Sequence, residues 1–148
     1  MSARHRGGEV VGRVDDLAPV EAGAVMFLRM RGSSAREQEA RDMRLMREVD
    51  ASARALETLG RICSLCAQHG RRPLMRHSLG CDCLGADENF FAQMVGAAAD
   101  GGREDAMMLA TLIVRPDFAP ALAALSEEFG LTLKAMSGPV TRRDRVLH

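Results

Sequence analysis

Aromatic residues are scarce in this sequence, which has no tryptophan, no tyrosine and only five phenylalanines among 148 residues. The core must therefore be built mainly from Leu, Met, Ala and Val. Ten methionines suit that core, because their flexible thioethers fill irregular gaps between helices. A chain without Trp or Tyr also lacks the stacking platforms that bind single-stranded nucleic acid, so nucleic acid is a weakly supported partner.

Net charge is absent as well, because twenty basic side chains, nineteen of them arginine, balance twenty acidic ones. No overall field draws the chain to nucleic acid or to an anionic membrane, and any such attraction must be local. No stretch approaches the roughly 18 apolar residues of a membrane-spanning helix, and the N-terminus lacks the apolar run of a signal peptide. We expect a soluble, cytoplasmic protein without a membrane partner.

Signatures of the common enzyme classes are missing too. The sequence contains no GxSxG, no HExxH, no Walker-type glycine loop and no GxGxxG after a strand. We therefore expect a regulatory or adaptor domain that acts by binding, with another protein as its partner. The alternative is a thiol- or metal-dependent enzyme centred on Cys81 and Cys83.

Apolar residues recur at spacings of three and four through most of the chain, and no alternation of strands and helices is evident. This pattern predicts an all-α fold, an irregular bundle of about five or six helices. We expect one helical domain over residues 17–134, a flexible arm at 1–16 and a flexible basic tail at 135–148. One long irregular loop is expected over residues 70–86.

Two details of this helical prediction stay open. Residues 25–30 fit either a helix or a short buried strand, and helix is favoured because Glu21, Ala22 and Ala24 are good helix formers. Residues 34–69 fit either one bent helix or two consecutive helices, the first capped by Ser34. Gly70 and Gly130 are interpreted as helix ends, since glycine commonly follows the last helical residue.

All four cysteines lie in two close pairs that fourteen residues separate, in the pattern C-x2-C and C-x-C. In a reducing compartment, clustered thiols indicate metal or redox chemistry before disulfides. The spacing is close to that of zinc-finger sites and predicts a structural zinc ion that holds the 70–86 loop against the preceding helix, with the ligands Cys63, Cys66, Cys81 and Cys83. His69 and His77 are the alternate ligands. Absence of a metal and thiol redox chemistry are the remaining alternatives.

A cluster of positive charge occupies the start of the same loop, where Arg71, Arg72, Arg76 and His77 occur without an intervening acid. Such a loop suits a phosphate, a nucleic-acid backbone or an acidic partner, because arginine binds carboxylates and phosphates through paired N–H groups. The alternative is that these arginines pair with Asp82, Asp87 and Glu88 and cap the preceding helix.

The stretch HGRRPLMRHSLGCDCLGADE, together with the later GGREDAMMLATLIVRPDFAP, resembles a small family of uncharacterised bacterial proteins. Members of that family share an RRPLMRH…C-x-C…GADE core, and the resemblance covers roughly residues 67–133. It draws attention to His77, Cys81 and Cys83. It implies no activity, cofactor or partner.

Overall fold

A computed structural model describes the backbone of residues 7–31 and 49–147, with side chains for 7–31 and 51–137. This part of the chain contains five α-helices: α1 (Pro19–Arg31), α2 (Val49–His69), α3 (Ala86–Ala99), α4 (Arg103–Ile113) and α5 (Ala119–Leu147). Two short strands, β1 (Val10–Arg13) and β2 (Cys83–Gly85), form the sheet of the described part. The prediction of an irregular helical bundle is confirmed.

Helix α1 contains residues 25–30, so the strand alternative for that segment was wrong. The expected helix start at Ser34 lies outside the described residues, and so does the choice between one bent helix and two. None of the described helices is both long enough and apolar enough to cross a bilayer.

Helix α3 lies at the centre of the bundle, where it contacts α1, α4 and α5. Its buried face carries Phe91, Met94 and Val95, and the Phe91 ring lies 6.2 Å from that of Phe129 on α5. Alanines occupy many of the remaining core positions, including Ala24, Ala55, Ala92, Ala106 and Ala110. Small side chains let neighbouring helices approach closely, which explains how a core with so few aromatics is filled.

Gly130 does not end a helix, in contrast to the sequence-based prediction, because α5 continues from Ala119 through Leu147. A Cβ atom at Gly130 would lie 2.8 Å from both the carbonyl oxygen of Val95 and the Cβ of Ala99. Glycine is therefore required here by the close crossing of α3 and α5. Residues 135–147, for which the sequence predicts a flexible basic tail, continue this helix, and His148 lies outside the described residues.

The N-terminal segment is ordered by a strand pairing that the sequence pattern did not reveal. Strand β1 pairs antiparallel with β2, with Val10 opposite Gly85 and Arg13 opposite Cys83. Residues 10–16, for which the sequence predicts a flexible arm, form β1 and a 3-10 turn, and residues 1–6 lie outside the described part. The pairing joins segments about 70 residues apart, so no local period in the sequence marks it.

The chain leaves α2 at Gly70, as the sequence predicts, and a Cβ atom there would overlap the carbonyl oxygen of Cys66. Gly70 forms an isolated bridge with Val114, and the Arg71 N–H donates to the Ile113 carbonyl at 2.9 Å. The irregular loop then runs to Asp82, which is shorter than predicted, because residues 83–85 form β2 and Ala86 begins α3.

Replacing Gly130 with alanine should lower the free energy of unfolding by about 1–3 kcal/mol, because the added methyl group meets the Val95 backbone. Helix propensity alone predicts the opposite, a gain of about 1 kcal/mol. Gly60→Ala in α2 is the matched control: its nearest neighbour, the Arg31 guanidinium, lies at 3.5 Å, so this variant should be neutral or slightly stabilised. Urea denaturation measures both variants. A Gly130→Ala protein as stable as Gly60→Ala contradicts the close-crossing explanation.

Candidate functional site

A buried ion pair between Arg29 of α1 and Glu88 of α3 lies beside the loop, and both side chains are completely shielded from solvent. Arg29 Nε donates to Glu88 Oε2 at 2.7 Å, and Nη2 donates to Oε1 at 2.9 Å. The two Nη groups also donate to the carbonyl oxygens of Cys81 and Cys83, each at 2.6 Å. One guanidinium therefore binds α1, α3 and the C-x-C segment together.

The Glu88 carboxylate accepts two further hydrogen bonds, from the backbone N–H groups of Gly85 at 3.0 Å and His77 at 3.1 Å. Burial opposes its ionisation, but the hydrogen bonds from Arg29, Gly85 and His77 outweigh burial, so the pKa of Glu88 lies below its ordinary value. The pKa of Arg29 is raised by its hydrogen bond to Glu88, despite burial. The pair is therefore ionised at neutral pH.

A second ion pair lies next to the first. Arg72 of the loop donates from Nη1 to Oδ2 and from Nη2 to Oδ1 of Asp87, both at 2.6 Å. Asp87 is buried, and its Oδ2 also accepts the backbone N–H of Met75 at 2.8 Å. Arg72 therefore takes the structural role that the sequence left as an alternative for the loop arginines, and it anchors the loop to the start of α3.

The N-terminal segment completes this arrangement. The backbone N–H groups of Ala86 and Asp87 donate to the carbonyls of Glu9 and Gly7, each at 2.8 Å. His77 donates from Nε2 to the Gly8 carbonyl at 2.9 Å, since a carbonyl oxygen only accepts. The loop, the N-terminal segment and α3 are thus joined around one group of charged side chains, the ionic cluster: Arg29, Arg72, Asp87 and Glu88.

A cavity of about 630 Å³ lies beside the ionic cluster, between α1, α2 and the loop. Its inner wall carries the buried side chains of Leu28 and Ile62 and the half-buried ones of Cys63, Cys66 and Leu74. Exposed arginines form its rim: Arg31, Arg71, Arg72 and Arg76. The lining contains no acidic residue among those described, so the cavity combines an apolar wall with a positive opening.

The rim arginines differ in their partners. Arg72 belongs to the ionic cluster, where it is bound to Asp87. Arg71 donates from Nε to the Thr111 carbonyl at 2.6 Å. Within residues 7–31 and 51–137, none of the ion pairs involves Arg31, Arg71 or Arg76. Three guanidinium groups therefore carry positive charge at the cavity that no described carboxylate balances.

The two cysteines of α2 are neutral thiols within the cavity wall. Burial raises the pKa of Cys66 to about 12, with a further contribution from nearby Cys63. Burial also raises the pKa of Cys63, although Arg31 and Arg76 act in the opposite direction. Neither thiol is activated as a nucleophile, because the thiolate is the reactive form.

The C-x-C pair is not part of the cavity lining, and the carbonyl groups of both its cysteines accept hydrogen bonds from the Arg29 guanidinium. The backbone N–H of Cys83 donates to the Cys81 sulfur at 3.4 Å. A side-chain hydrogen bond to Cys81 and the charge of Cys81 raise the pKa of Cys83. All four cysteines of the chain carry free thiols.

The predicted zinc ligands are not brought together. No group of three or more His, Cys, Asp or Glu side chains suited to a metal ion occurs among the described residues, which include Cys63, Cys66, Cys81 and Cys83. A tetrahedral structural zinc site needs four such groups at one point, so these residues do not fit it as arranged. The zinc site stays a prediction.

Both alternate ligands have other partners. His69 stacks on Phe118 with ring centroids 3.6 Å apart, and its Nδ1 accepts a hydrogen bond from Arg115 at 2.8 Å. His77 is bound to Gly8, as described above. His69 therefore supports the end of α2, and His77 joins the loop before α3 to the N-terminal segment.

Arg29 and Arg31 were not among the predicted site residues. A signal for Arg29 was present in the sequence, because an arginine inside the apolar run AVMFLRM indicates a charge that needs a buried partner. Comparisons with protein-family models, with curated proteins and with solved structures give no match for this chain.

Replacing Glu88 with glutamine should lower the free energy of unfolding by about 3–5 kcal/mol, because Arg29 is left as a buried charge without a counterion. The NH2 group of the glutamine would also face N–H groups that donate hydrogen bonds to the Glu88 carboxylate in the wild type. Asp100→Asn is the control, since the exposed Lys134–Asp100 pair at 3.4 Å should contribute at most about 1 kcal/mol. Urea denaturation at pH 7 measures the free energy of unfolding of both variants. A similarly small decrease in the two variants contradicts the role of the buried pair.

The stability difference between the wild type and Glu88→Gln should depend on pH. The folded-state pKa of Glu88 is lowered, so its contribution is fully present above the unfolded-state pKa, near 4.5. It is lost as pH falls through the folded-state value. Thermal unfolding of both proteins between pH 7 and pH 3 should therefore show melting temperatures that converge only in the acidic range, and a constant gap contradicts this linkage.

Cys66 should react with iodoacetamide at pH 8 at least about tenfold more slowly in the folded protein than in urea. A pKa of about 12 in place of 9.0 leaves roughly a thousandfold less thiolate. The higher nucleophilicity of that thiolate compensates for only part of the loss in reaction rate. Mass spectrometry of tryptic peptides measures the rate at each cysteine. Equal rates for Cys66 in folded and unfolded protein are the contrary result.

Proposed function

We propose that this protein is a binding domain with a regulatory or adaptor role, which recognises an anionic group through Arg31, Arg71 and Arg76. The observation that carries the proposal is the absence of any described carboxylate partner for these three arginines at a cavity without acidic lining. Arginine suits carboxylate and phosphate groups because its N–H groups match their geometry.

The attachment of the loop supports recognition by a preformed site. Arg72 and the backbone of Met75 bind Asp87, and the backbone of His77 binds Glu88. These contacts lie on both sides of Arg76 in the sequence, and Arg71 is held by Ile113 and Thr111. A loop fixed in advance loses less conformational entropy on binding, which favours affinity.

The alternative function, a thiol- or metal-dependent enzyme centred on Cys81 and Cys83, has less support. The raised pKa of Cys83 disfavours its thiolate, and the described residues offer the pair no third metal ligand. The carbonyl groups of both cysteines are occupied by Arg29. We therefore rank binding above catalysis.

The cytoplasm is the location that we propose. All four cysteines are free thiols, and reduced thiols are typical of that compartment. Another protein is the partner that the sequence favours for a regulatory or adaptor domain.

The double variant Arg71→Gln/Arg76→Gln should bind pyrophosphate at least about tenfold more weakly than the wild type, because hydrogen bonds to charged groups contribute roughly 1.5–3 kcal/mol each. Isothermal titration calorimetry at low ionic strength measures the affinity, which should fall as salt is added. Arg61→Gln/Arg103→Gln is the matched control, since it removes two exposed arginines elsewhere and changes the net charge equally. The same loss in both double variants contradicts a local site.

A further inference from the structure

The inner wall of the cavity has a chemistry that an inorganic anion does not use. Leu28 and Ile62 are core side chains that also face this space, and Leu74 covers it from the loop. Cys63 and Cys66 complete the wall as neutral thiols, which behave as small apolar groups. An anion bound only by the rim arginines leaves the half-buried side chains of this wall, Cys63, Cys66 and Leu74, in contact with water.

The size of the cavity points in the same direction. Its volume of about 630 Å³ lies within the range of roughly 300–1,000 Å³ that is typical of small-molecule sites. Such sites commonly join an apolar lining to a few polar groups that fix the orientation of the ligand. A purely apolar ligand gives Arg31, Arg71 and Arg76 no anionic partner, and a purely charged ligand leaves the half-buried apolar side chains of the wall uncovered.

We propose that the cavity binds a small amphipathic anion, with a hydrocarbon tail against Leu74, Cys63 and Cys66 and a phosphate or carboxylate head at Arg31, Arg71 and Arg76. This inference rests on the proposed function for the head group and adds the tail. A ligand of this class satisfies both halves of the lining.

Four probes, titrated calorimetrically, separate the two halves of the ligand: decyl phosphate, decanoate, inorganic phosphate and decanol. Decyl phosphate and decanoate are kept below their critical micelle concentrations. Decyl phosphate should bind at least about 100-fold more tightly than inorganic phosphate, because each buried methylene group contributes roughly fourfold. It should bind at least about tenfold more tightly than decanol, through charged hydrogen bonds to the arginines. Comparison of the affinities for decanoate and decyl phosphate shows whether the site prefers a carboxylate or a phosphate head group.

The outcomes distinguish this inference from the proposed function. Equal affinities for decyl phosphate and inorganic phosphate, both weakened by Arg71→Gln/Arg76→Gln, overturn the amphipathic ligand and keep the anion site. Insensitivity of every probe to that double variant overturns both. Tighter binding of a hexaglutamate peptide than of decyl phosphate also overturns the inference, in favour of an acidic protein segment.

A variant that fills the cavity tests the position of the tail. Ala67 is exposed on α2 and lines the cavity, whereas the neighbouring Gln68 is exposed and lines an adjacent groove between α2 and α5, which shares Arg31 with the cavity. Ala67→Phe should weaken decyl phosphate at least about tenfold and leave inorganic phosphate unchanged, because a buried tail of several methylene groups is displaced. Gln68→Phe should bind both probes as the wild type does. Unchanged decyl phosphate binding in Ala67→Phe overturns the proposal.

Thiol protection gives a second readout in the wild-type protein, which does not depend on how the variants fold. Saturating decyl phosphate should slow modification of Cys63 and Cys66 by methyl methanethiosulfonate at least about fivefold, because the tail covers the wall they belong to. Cys81 lies outside the lining and should react at the same rate with and without the probe. Equal rates at Cys63 and Cys66 in both conditions overturn the proposal.

Discussion

The buried ion pair between Arg29 and Glu88 is the interaction on which the arrangement of the loop depends. Removing two charges from water is costly, and the cost is offset here because the guanidinium and the carboxylate also bind backbone groups of the loop and β2. Arg29 lies 52 to 59 residues before its partners. This pair of side chains therefore joins α1, α3 and the intervening loop, beside the apolar packing of the two helices.

This use of charge divides the polar residues of the loop region into two groups. The acids at the start of α3 are taken up by Arg29 and Arg72, inside a cluster that is largely shielded from solvent. Arg31, Arg71 and Arg76 have no such partner in the described part of the chain and lie at the opening of an apolar cavity. The first group holds the structure together, and the second is the one that a ligand can reach.

Prediction from the sequence succeeded where the determining interactions are local and failed where they are not. The helical content followed from apolar spacing, and Gly70 was identified as a helix end from its place after an apolar run. Gly130 has the same local appearance, but the neighbouring α3 backbone makes it a crossing point within α5. Strand β1 depends on a partner strand about 70 residues away, which no local pattern reports.

For the candidate site, the sequence by itself determined the chemical inventory: an arginine-rich loop, four thiols and a pair of acids at the start of a helix. It also determined that Cys63 and Cys66 lie on a helix, because the period of three to four residues is visible in neighbouring positions. Only the tertiary structure decided which arginine meets which acid, and that the two cysteine pairs face different surroundings. The reason is physical: the partner of a charge is set by packing between distant segments, and that packing is a property of the whole core.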